Sequence, residues 1–145
     1  MSIFDPEAKT YDIWYDTKMG AFADMVQTKL AFELFEPKKG MHVLDVGCGT
    51  GNFSIKLAKM GLKVTGIDVS VNMLNVAESK AKAEGLEIDF INMDARDIKF
   101  EDNYFDGVIS MAMLEFIREP STVLREMFRV VKKSGRILIG TINRD

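Results

Sequence analysis

The sequence is poor in the residues that build disulfide scaffolds and soft-metal sites. Its 145 residues include a single cysteine, Cys48, and a single histidine, His42. One cysteine excludes an intrachain disulfide, and together with one histidine it provides too few ligands for a structural zinc ion. We therefore predict no metal site. Cys48, between two glycines, is interpreted as a small loop residue, and His42, at the start of a strand, as a surface residue without a catalytic role.

Long apolar runs and dense positive charge are also lacking. No run approaches the roughly 18 apolar residues that a membrane-spanning helix needs, and residues 1–6 lack the pattern of a secretory leader. The net charge is -3, and no run of Lys and Arg alternates with aromatic residues as phosphate contacts would require. The basic cluster at positions 129, 132, 133 and 136 is interpreted as a solvated helix end. These absences predict a cytoplasmic protein without a membrane or nucleic-acid partner.

The composition that remains is that of one folded domain of the α/β class. Hydrophobic residues make up 47% of the chain and charged residues 28%. Apolar runs of strand length alternate with segments of helical period, which predicts an open, mainly parallel sheet with helices on both faces. The predicted strands span residues 41–46, 63–67, 87–92, 105–110 and 136–142.

Three helices are predicted from apolar residues that recur at the spacing of one helix face. The first ends before Pro37, and its apolar face consists of Phe22, Met25, Val26, Leu30 and Leu34. The second begins at the cap Ser70, ends at Gly85 and has the face Met73, Leu74, Ala77 and Ala81. The third begins at Pro120 and has the face Val123, Leu124, Met127, Phe128 and Val131.

The most informative segment is a strand that runs into a glycine-rich turn at residues 44–51. Glycines there allow positive φ and close approach of a ligand to the backbone, at the sheet edge where α/β proteins bind ligands. A dinucleotide fingerprint would have its third glycine at position 52, which is Asn52. A phosphate-binding P-loop is excluded because Lys and Ser or Thr do not follow in the required places. The turn therefore predicts a nucleotide-like ligand of another kind.

Three carboxylates lie at or after the ends of successive predicted strands. Asp45, beside the glycine turn, favours a cationic ligand because it would repel a pyrophosphate. Asp68 ends the second strand, where an acidic residue accepts the hydroxyls of an unphosphorylated ribose, or else caps the next helix. Asp94, after the third strand, is a candidate acceptor for the adenine amino group or a turn former. Asp106 is interpreted as structural.

Five segments in this order resemble the class I S-adenosylmethionine-dependent methyltransferases, especially the small-molecule branch that includes the quinone-biosynthesis enzymes. The segments are residues 43–51, 66–70, 94–95, 105–110 and 133–136. The resemblance covers nearly the whole chain. It implies a Rossmann-like sheet in the order 3-2-1-4-5, with residues 1–40 as an N-terminal helical cap and residues 41–145 as the α/β core.

The resemblance also implies where S-adenosylmethionine would bind. Gly47 and Gly49 would pass along its methionine portion, with Ser110 and Met111 at the methionine end. The predicted cofactor contacts are Tyr11, Asp45, Gly47, Cys48, Gly49, Asp68, Val69, Met73, Asp94, Ala95, Ser110 and Met111. An apolar acceptor pocket is predicted from Met111, Met113, Phe116, Tyr11, Trp14 and Tyr15, although the three N-terminal aromatics fit a packed helix equally well.

The chain departs from its relatives in two places. Where they commonly have a histidine, it has Glu115-Phe116, so the resemblance identifies no catalytic residue. Glu115 and Tyr15 are candidates for a base if the acceptor must lose a proton. Relatives continue past the fifth strand with a helix and an antiparallel strand pair. We therefore predict that the last strand is covered by a second subunit in a homodimer, or by a segment missing from a longer protein.

Three functions are compatible with these patterns. The first is methyl transfer from S-adenosylmethionine to a small-molecule acceptor by in-line displacement. The second is a cofactor-binding module without independent activity, which needs a partner or a further segment. The third, a nicotinamide-dependent oxidoreductase, is disfavoured by Asn52 and Asp45.

Overall fold

The computed structural model describes residues 29–111 and 117–140, and their strands form one parallel sheet. The strands are β1 (His42–Val46), β2 (Lys63–Asp68), β3 (Asp89–Asn92), β4 (Phe105–Met111) and β5 (Val131–Gly140). All four strand pairings are parallel, and the order is β3-β2-β1-β4-β5. This confirms the predicted sheet order.

Helices pack on both faces of the sheet, as predicted. The helices are α1 (residues 29–35), α2 (Asn52–Lys59), α3 (Val71–Ala83) and α4 (Pro120–Val130). Side chains of α1 and α2 pack on one face with Val43, Val64 and Ile109. Side chains of α4 pack on the other face with Leu44 and Val108. None of the helices in the described ranges is long and apolar enough to cross a membrane.

The predicted ends of α3 are confirmed. The Ser70 hydroxyl accepts a hydrogen bond from the backbone N–H of Met73 at 3.1 Å, which satisfies one donor of the first turn. Gly85 follows the helix in the left-handed conformation that favours glycine. The buried face of α3 is the predicted one, formed by Met73, Leu74, Ala77 and Ala81.

The predicted face of α1 is wrong in the described part of the helix. Leu30 and Leu34 are 54% and 60% exposed, whereas Ala31 and Phe35 are buried. The reason is Gly107, because the ring of Phe35 occupies the space that a side chain on β4 would fill there. The other predicted members, Phe22, Met25 and Val26, lie outside the described residues.

Two predicted strand starts differ from the structure by two residues or more. β5 begins at Val131 rather than at residue 136, because the polar residues 132–134 continue the strand around an irregularity in the pairing of β4 with β5. β3 begins at Asp89, two residues later than predicted. On α4, Val123 and Met127 are buried as predicted, but Phe128 is 65% exposed.

β5 is the edge strand of the described sheet. Its side chains are largely exposed or half-buried, and Ile139 is among the exposed hydrophobic residues. A covering strand or second subunit stays a prediction. Ile142, the last residue of the predicted strand, lies outside the described residues.

Candidate cofactor site

The glycine turn joins β1 to α2 at the carboxyl edge of the sheet. Gly51 has φ +84, and a Cβ there would lie 3.0 Å from the Cβ of Ala77 and 3.2 Å from the ring of Phe90. A side chain at this position would therefore be strained as well as crowded. At Gly49 a Cβ would meet no atom within 4 Å, so the turn has an open side there.

Four backbone N–H groups of the turn are bonded within the protein. Those of Gly47 and Cys48 donate to the carbonyl of Ile67 at 2.9 and 3.0 Å, and that of Gly51 donates to the carbonyl of Cys48 at 3.0 Å. The N–H of Gly49 donates to Oδ2 of Asp68 at 2.9 Å. A phosphate-binding turn directs such groups at its ligand. Three of the four groups in this turn, those of Gly47, Cys48 and Gly49, instead join it to the end of β2.

Asp68 lies at the end of β2 with both carboxylate oxygens fixed by backbone donors. Oδ2 accepts from Gly49, and Oδ1 accepts from the N–H of Ser70 at 2.8 Å. The side chain that caps α3 is the Ser70 hydroxyl, and the Asp68 carboxylate accepts from the N–H of the same residue. Of the predicted contacts near it, Val69 is exposed and Met73 is buried.

Asp45 is buried at the end of β1, close to Asp68. Its Oδ2 accepts a hydrogen bond from the Ser54 hydroxyl at 2.7 Å. Burial raises the pKa of Asp45 to about 6, and the negative charge of Asp68 adds to the increase, while the Ser54 bond opposes it. Sequence reasoning missed Ser54, whose only signal is its place one turn into the helix that follows the glycine loop.

Asp94 lies in a turn, as predicted, and its carboxylate retains acceptor capacity for a ligand. Its carboxylate accepts from three donors of Arg96: the backbone N–H at 2.9 Å, Nε, and a terminal nitrogen at 2.7 Å. Arg96 lowers the pKa of Asp94 through these bonds. A carboxylate has about four acceptor positions, which leaves about one for a ligand donor. The next residue, Ala95, is buried in the core.

The end of β4 carries a buried hydroxyl. Ser110 is fully buried, and its Oγ is the one buried side-chain polar atom of the described residues without a hydrogen-bond partner. An unsatisfied buried hydroxyl costs roughly 1–3 kcal/mol. Met111 follows it, half-buried, at the last position of the strand.

Cys48 is buried beneath the turn and packs on β2. A Cβ at Gly66 would lie 2.9 Å from the Cys48 sulfur and 2.9 Å from the ring of Phe90, so the absence of a side chain at Gly66 makes room for both. Burial raises the pKa of the Cys48 thiol, which keeps it protonated. The packing role of Gly66 was not predicted, because a glycine inside a strand does not reveal which neighbour needs the space.

The remaining predicted residues lie either near the amino ends of the strands or outside the described residues. His42 is half-buried rather than at the surface, because its ring packs edge-on against Phe105 with 4.7 Å between ring centroids. Asp106 accepts from the His42 N–H and from Lys132, a structural role as predicted. The predicted residues outside the described ranges are Tyr11, Trp14, Tyr15, Met113, Glu115 and Phe116. The described residues contain no cluster of three potential metal ligands.

Comparisons with known proteins agree with this geometry. A family model described as a methyltransferase domain matches residues 44–139. The ubiquinone biosynthesis O-methyltransferase of Coxiella burnetii is 36% identical over 107 residues, covering 74% of this chain and 46% of that protein. The phosphatidylethanolamine N-methyltransferase of Cereibacter sphaeroides is 36% identical over 139 residues, covering 93% of this chain and 67% of that protein.

A solved structure shares the fold at similar identity. An N-methyltransferase from Haemonchus contortus, in complex with phosphomonomethylethanolamine and S-adenosylhomocysteine, superposes with a TM-score of 0.72 at 32% identity, covering 78% of this chain and 27% of that chain. The chain spans about half the length of the Coxiella relative. With the family model matched from β1 to β5, the chain belongs to the class I S-adenosylmethionine-dependent methyltransferases.

Proposed function

We propose that the chain binds S-adenosylmethionine at the carboxyl edge of the sheet and transfers its methyl group to an oxygen or nitrogen atom of a small molecule. The observation that carries the proposal is the charge of the site. Two buried aspartates, Asp45 and Asp68, flank a glycine turn in which four N–H groups are bonded within the protein. Such a site favours a ligand with positive charge and no phosphate, which describes S-adenosylmethionine.

The nucleoside half of the ligand would be held by the second and third strands. Asp68 would accept the ribose hydroxyls, because its carboxylate is fixed in place by the N–H groups of Gly49 and Ser70. Asp94 would accept from the adenine amino group with the acceptor position that Arg96 leaves. Ala95 would border the adenine ring.

The methionine half would be held by the first and fourth strands. Gly47 and Gly49 would allow the ligand to lie against the backbone, and Asp45 would attract its positive charge. Ser110 would gain the hydrogen bond that its hydroxyl lacks. The other predicted contacts, which we propose at the same site, are Tyr11, Cys48, Val69, Met73 and Met111.

The protein's contribution to the reaction is chiefly alignment. The bound cofactor supplies a methyl group on a sulfonium that already carries its leaving group, so the chain has to orient the acceptor and exclude water. Alignment of two reactants contributes roughly 7–11 kcal/mol to lowering a barrier. For an acceptor that must lose a proton, Glu115 and Tyr15 stay the proposed bases.

Calorimetric titration with S-adenosylmethionine tests the proposal, with NADH as the competing ligand class. We expect binding of S-adenosylmethionine alone, and a Kd about tenfold or more higher in Asp68→Asn, which loses one carboxylate acceptor. The matched control is Asp89→Asn, an exposed aspartate at the amino end of β3, which should bind as the wild type does.

Two results would contradict the proposal at different levels. Binding of NADH at the same affinity, or loss of affinity in both variants alike, would contradict the cofactor assignment. Binding of S-adenosylmethionine without transfer of its labelled methyl group to any phenol or amine in an acceptor panel would favour the cofactor-binding module instead. Transfer to a phenol or to an amine would identify the acceptor atom.

A further inference from the structure

A cluster of polar contacts outside the cofactor site ties α4 to the segment that follows β3. Its centre is Arg129, in the last turn of α4. One terminal nitrogen of its guanidinium donates to the carbonyl of Ile98 at 2.7 Å, and the other donates to the carbonyl of Phe100 at 2.9 Å and to Asp102 at 2.8 Å. Glu126, one turn earlier, accepts from Nε and from a terminal nitrogen at 2.7 Å.

The cluster engages the backbone of this segment in both directions. Oε2 of Glu126 also accepts from the N–H of Ile98 at 3.1 Å, so Arg129 and Glu126 hold both backbone groups of one residue. The guanidinium uses its whole fork of five N–H donors in these contacts. A lysine has three donors on a single atom and cannot reproduce them.

Ile98 is close in sequence to the proposed adenine contacts. Asp94 begins a turn closed by a hydrogen bond from the N–H of Asp97 to its carbonyl at 3.0 Å. Ala95 and Ile98 are both buried in the core cluster that contains the apolar side chains of α4. Only two residues separate Ala95 from Ile98, so a shift of Ile98 is transmitted to the turn.

We propose that Arg129, with Glu126, is a positioning residue for adenine recognition, holding the turn of Asp94 and Ala95 in place from the opposite side of the segment. This inference rests on the proposed function. Arg129 is not catalytic, since it contacts the backbone of Ile98 and Phe100. Its effect should appear as a loss of selectivity for the adenine base.

Two ligands separate positioning of adenine from general support of the fold. S-adenosylhomocysteine carries the adenine amino group, whereas S-inosylhomocysteine carries an oxygen in its place. A site that hydrogen-bonds the amino group discriminates strongly against the analogue that lacks it. We expect Arg129→Lys to raise the Kd of S-adenosylhomocysteine about tenfold and to leave that of S-inosylhomocysteine within about twofold.

Arg136→Lys is the matched control. Arg136 on β5 also pairs with a glutamate, Glu36 at 3.0 Å, and with a backbone carbonyl, that of Phe35 at 3.4 Å, but it does not contact the segment of Asp94. We expect it to keep the wild-type ratio of the two affinities. Amide hydrogen exchange at residues 94–98 of the free protein should accelerate in Arg129→Lys and not in Arg136→Lys.

Each remaining result contradicts a defined statement. If the wild type binds neither ligand, the proposed function and this inference both fail. If the wild type discriminates and Arg129→Lys either discriminates equally or loses both ligands alike, only this inference fails. Should Arg129→Lys not fold, Glu126→Gln takes its place, because this variant keeps the bonds of Arg129 to the carbonyls of Ile98 and Phe100. A loss of adenine selectivity smaller than that expected for Arg129→Lys then supports the inference. Unchanged selectivity overturns it.

Discussion

Two aspartates at opposite edges of the same sheet are treated differently by their surroundings. Asp106, near the amino end of β4, accepts from the His42 N–H at 2.8 Å and from Lys132 at 2.9 Å, and these contacts lower its pKa. Asp45, at the carboxyl end of β1, is buried with one hydroxyl donor, and its pKa is raised to about 6. One carboxylate stabilises the fold, whereas the other costs folding free energy that a bound cation would offset.

The largest expected effect is that of Asp45→Asn. Because the pKa of Asp45 is about 6 in the folded protein against an ordinary 3.8, the stability it contributes is complete below pH 3.8 and is lost as the pH rises through 6. The shift corresponds to at most about 3 kcal/mol, from which a newly buried amide group subtracts. We expect Asp45→Asn to raise the free energy of unfolding by about 1–2 kcal/mol at pH 7.

Urea unfolding at two pH values checks this expectation. At pH 4 the wild-type carboxyl is largely protonated, so the variant and the wild type should unfold at nearly the same urea concentration. In parallel, S-adenosylmethionine should bind the variant about tenfold more weakly at pH 7, where the lost charge matters. If the variant were less stable than the wild type at pH 7, the Asp45 carboxylate would stabilise the fold, as Asp106 does, and the contrast between the two aspartates would be wrong.

Asp106→Asn should have a smaller effect of the opposite sign. An amide retains one oxygen, so the variant keeps only one of the two contacts with the His42 N–H and Lys132. The carboxylate is about a third exposed, and solvent screening limits the expected loss to about 0.5–1 kcal/mol at pH 7. Its stabilisation is present above the ordinary pKa and is lost as the pH falls through the lowered one, so the variant and the wild type should converge in acid. Cofactor affinity is the control and should not change.

The strands and their parallel direction could be predicted because they depend on local signals, whereas the strand order was implied by the family resemblance. Apolar runs, caps such as Ser70 and the proline at position 120 all act within a few residues of themselves. The exposed Leu30 and Leu34 show the limit, since the buried face of α1 is decided by the missing side chain at Gly107, far away in sequence. The predicted start of β5 was wrong for a similar reason, because its polar residues are held in the strand by pairing with β4, which is distant in sequence.

In the candidate site, too, some residues could be predicted from local sequence and others could not. Asp45, Asp68 and Asp94 could be located from motifs, because each lies at or just after the carboxyl end of a strand, and these ends meet at the same sheet edge. The residues that support them could not be found in this way. Ser54 is recognised only by its distance to Asp45, and Arg129, interpreted as part of a solvated cluster, is engaged with Ile98 and its neighbours.

The smallest and most specific test of the comparison is Ser54→Ala. The Ser54 hydroxyl lowers the pKa of Asp45 against the effect of burial, so its removal should raise that pKa further. As the pH is lowered, Asp45 becomes protonated and affinity for S-adenosylmethionine should fall. In Ser54→Ala this fall should begin at a pH about one unit higher than in the wild type, which a binding titration between pH 8 and 5 measures. Thr65→Val is the control, because this buried hydroxyl lies 3.1 Å from the His42 ring and does not contact Asp45. An equal shift in both variants, or none in Ser54→Ala, would mean that the charge of Asp45 does not control cofactor binding.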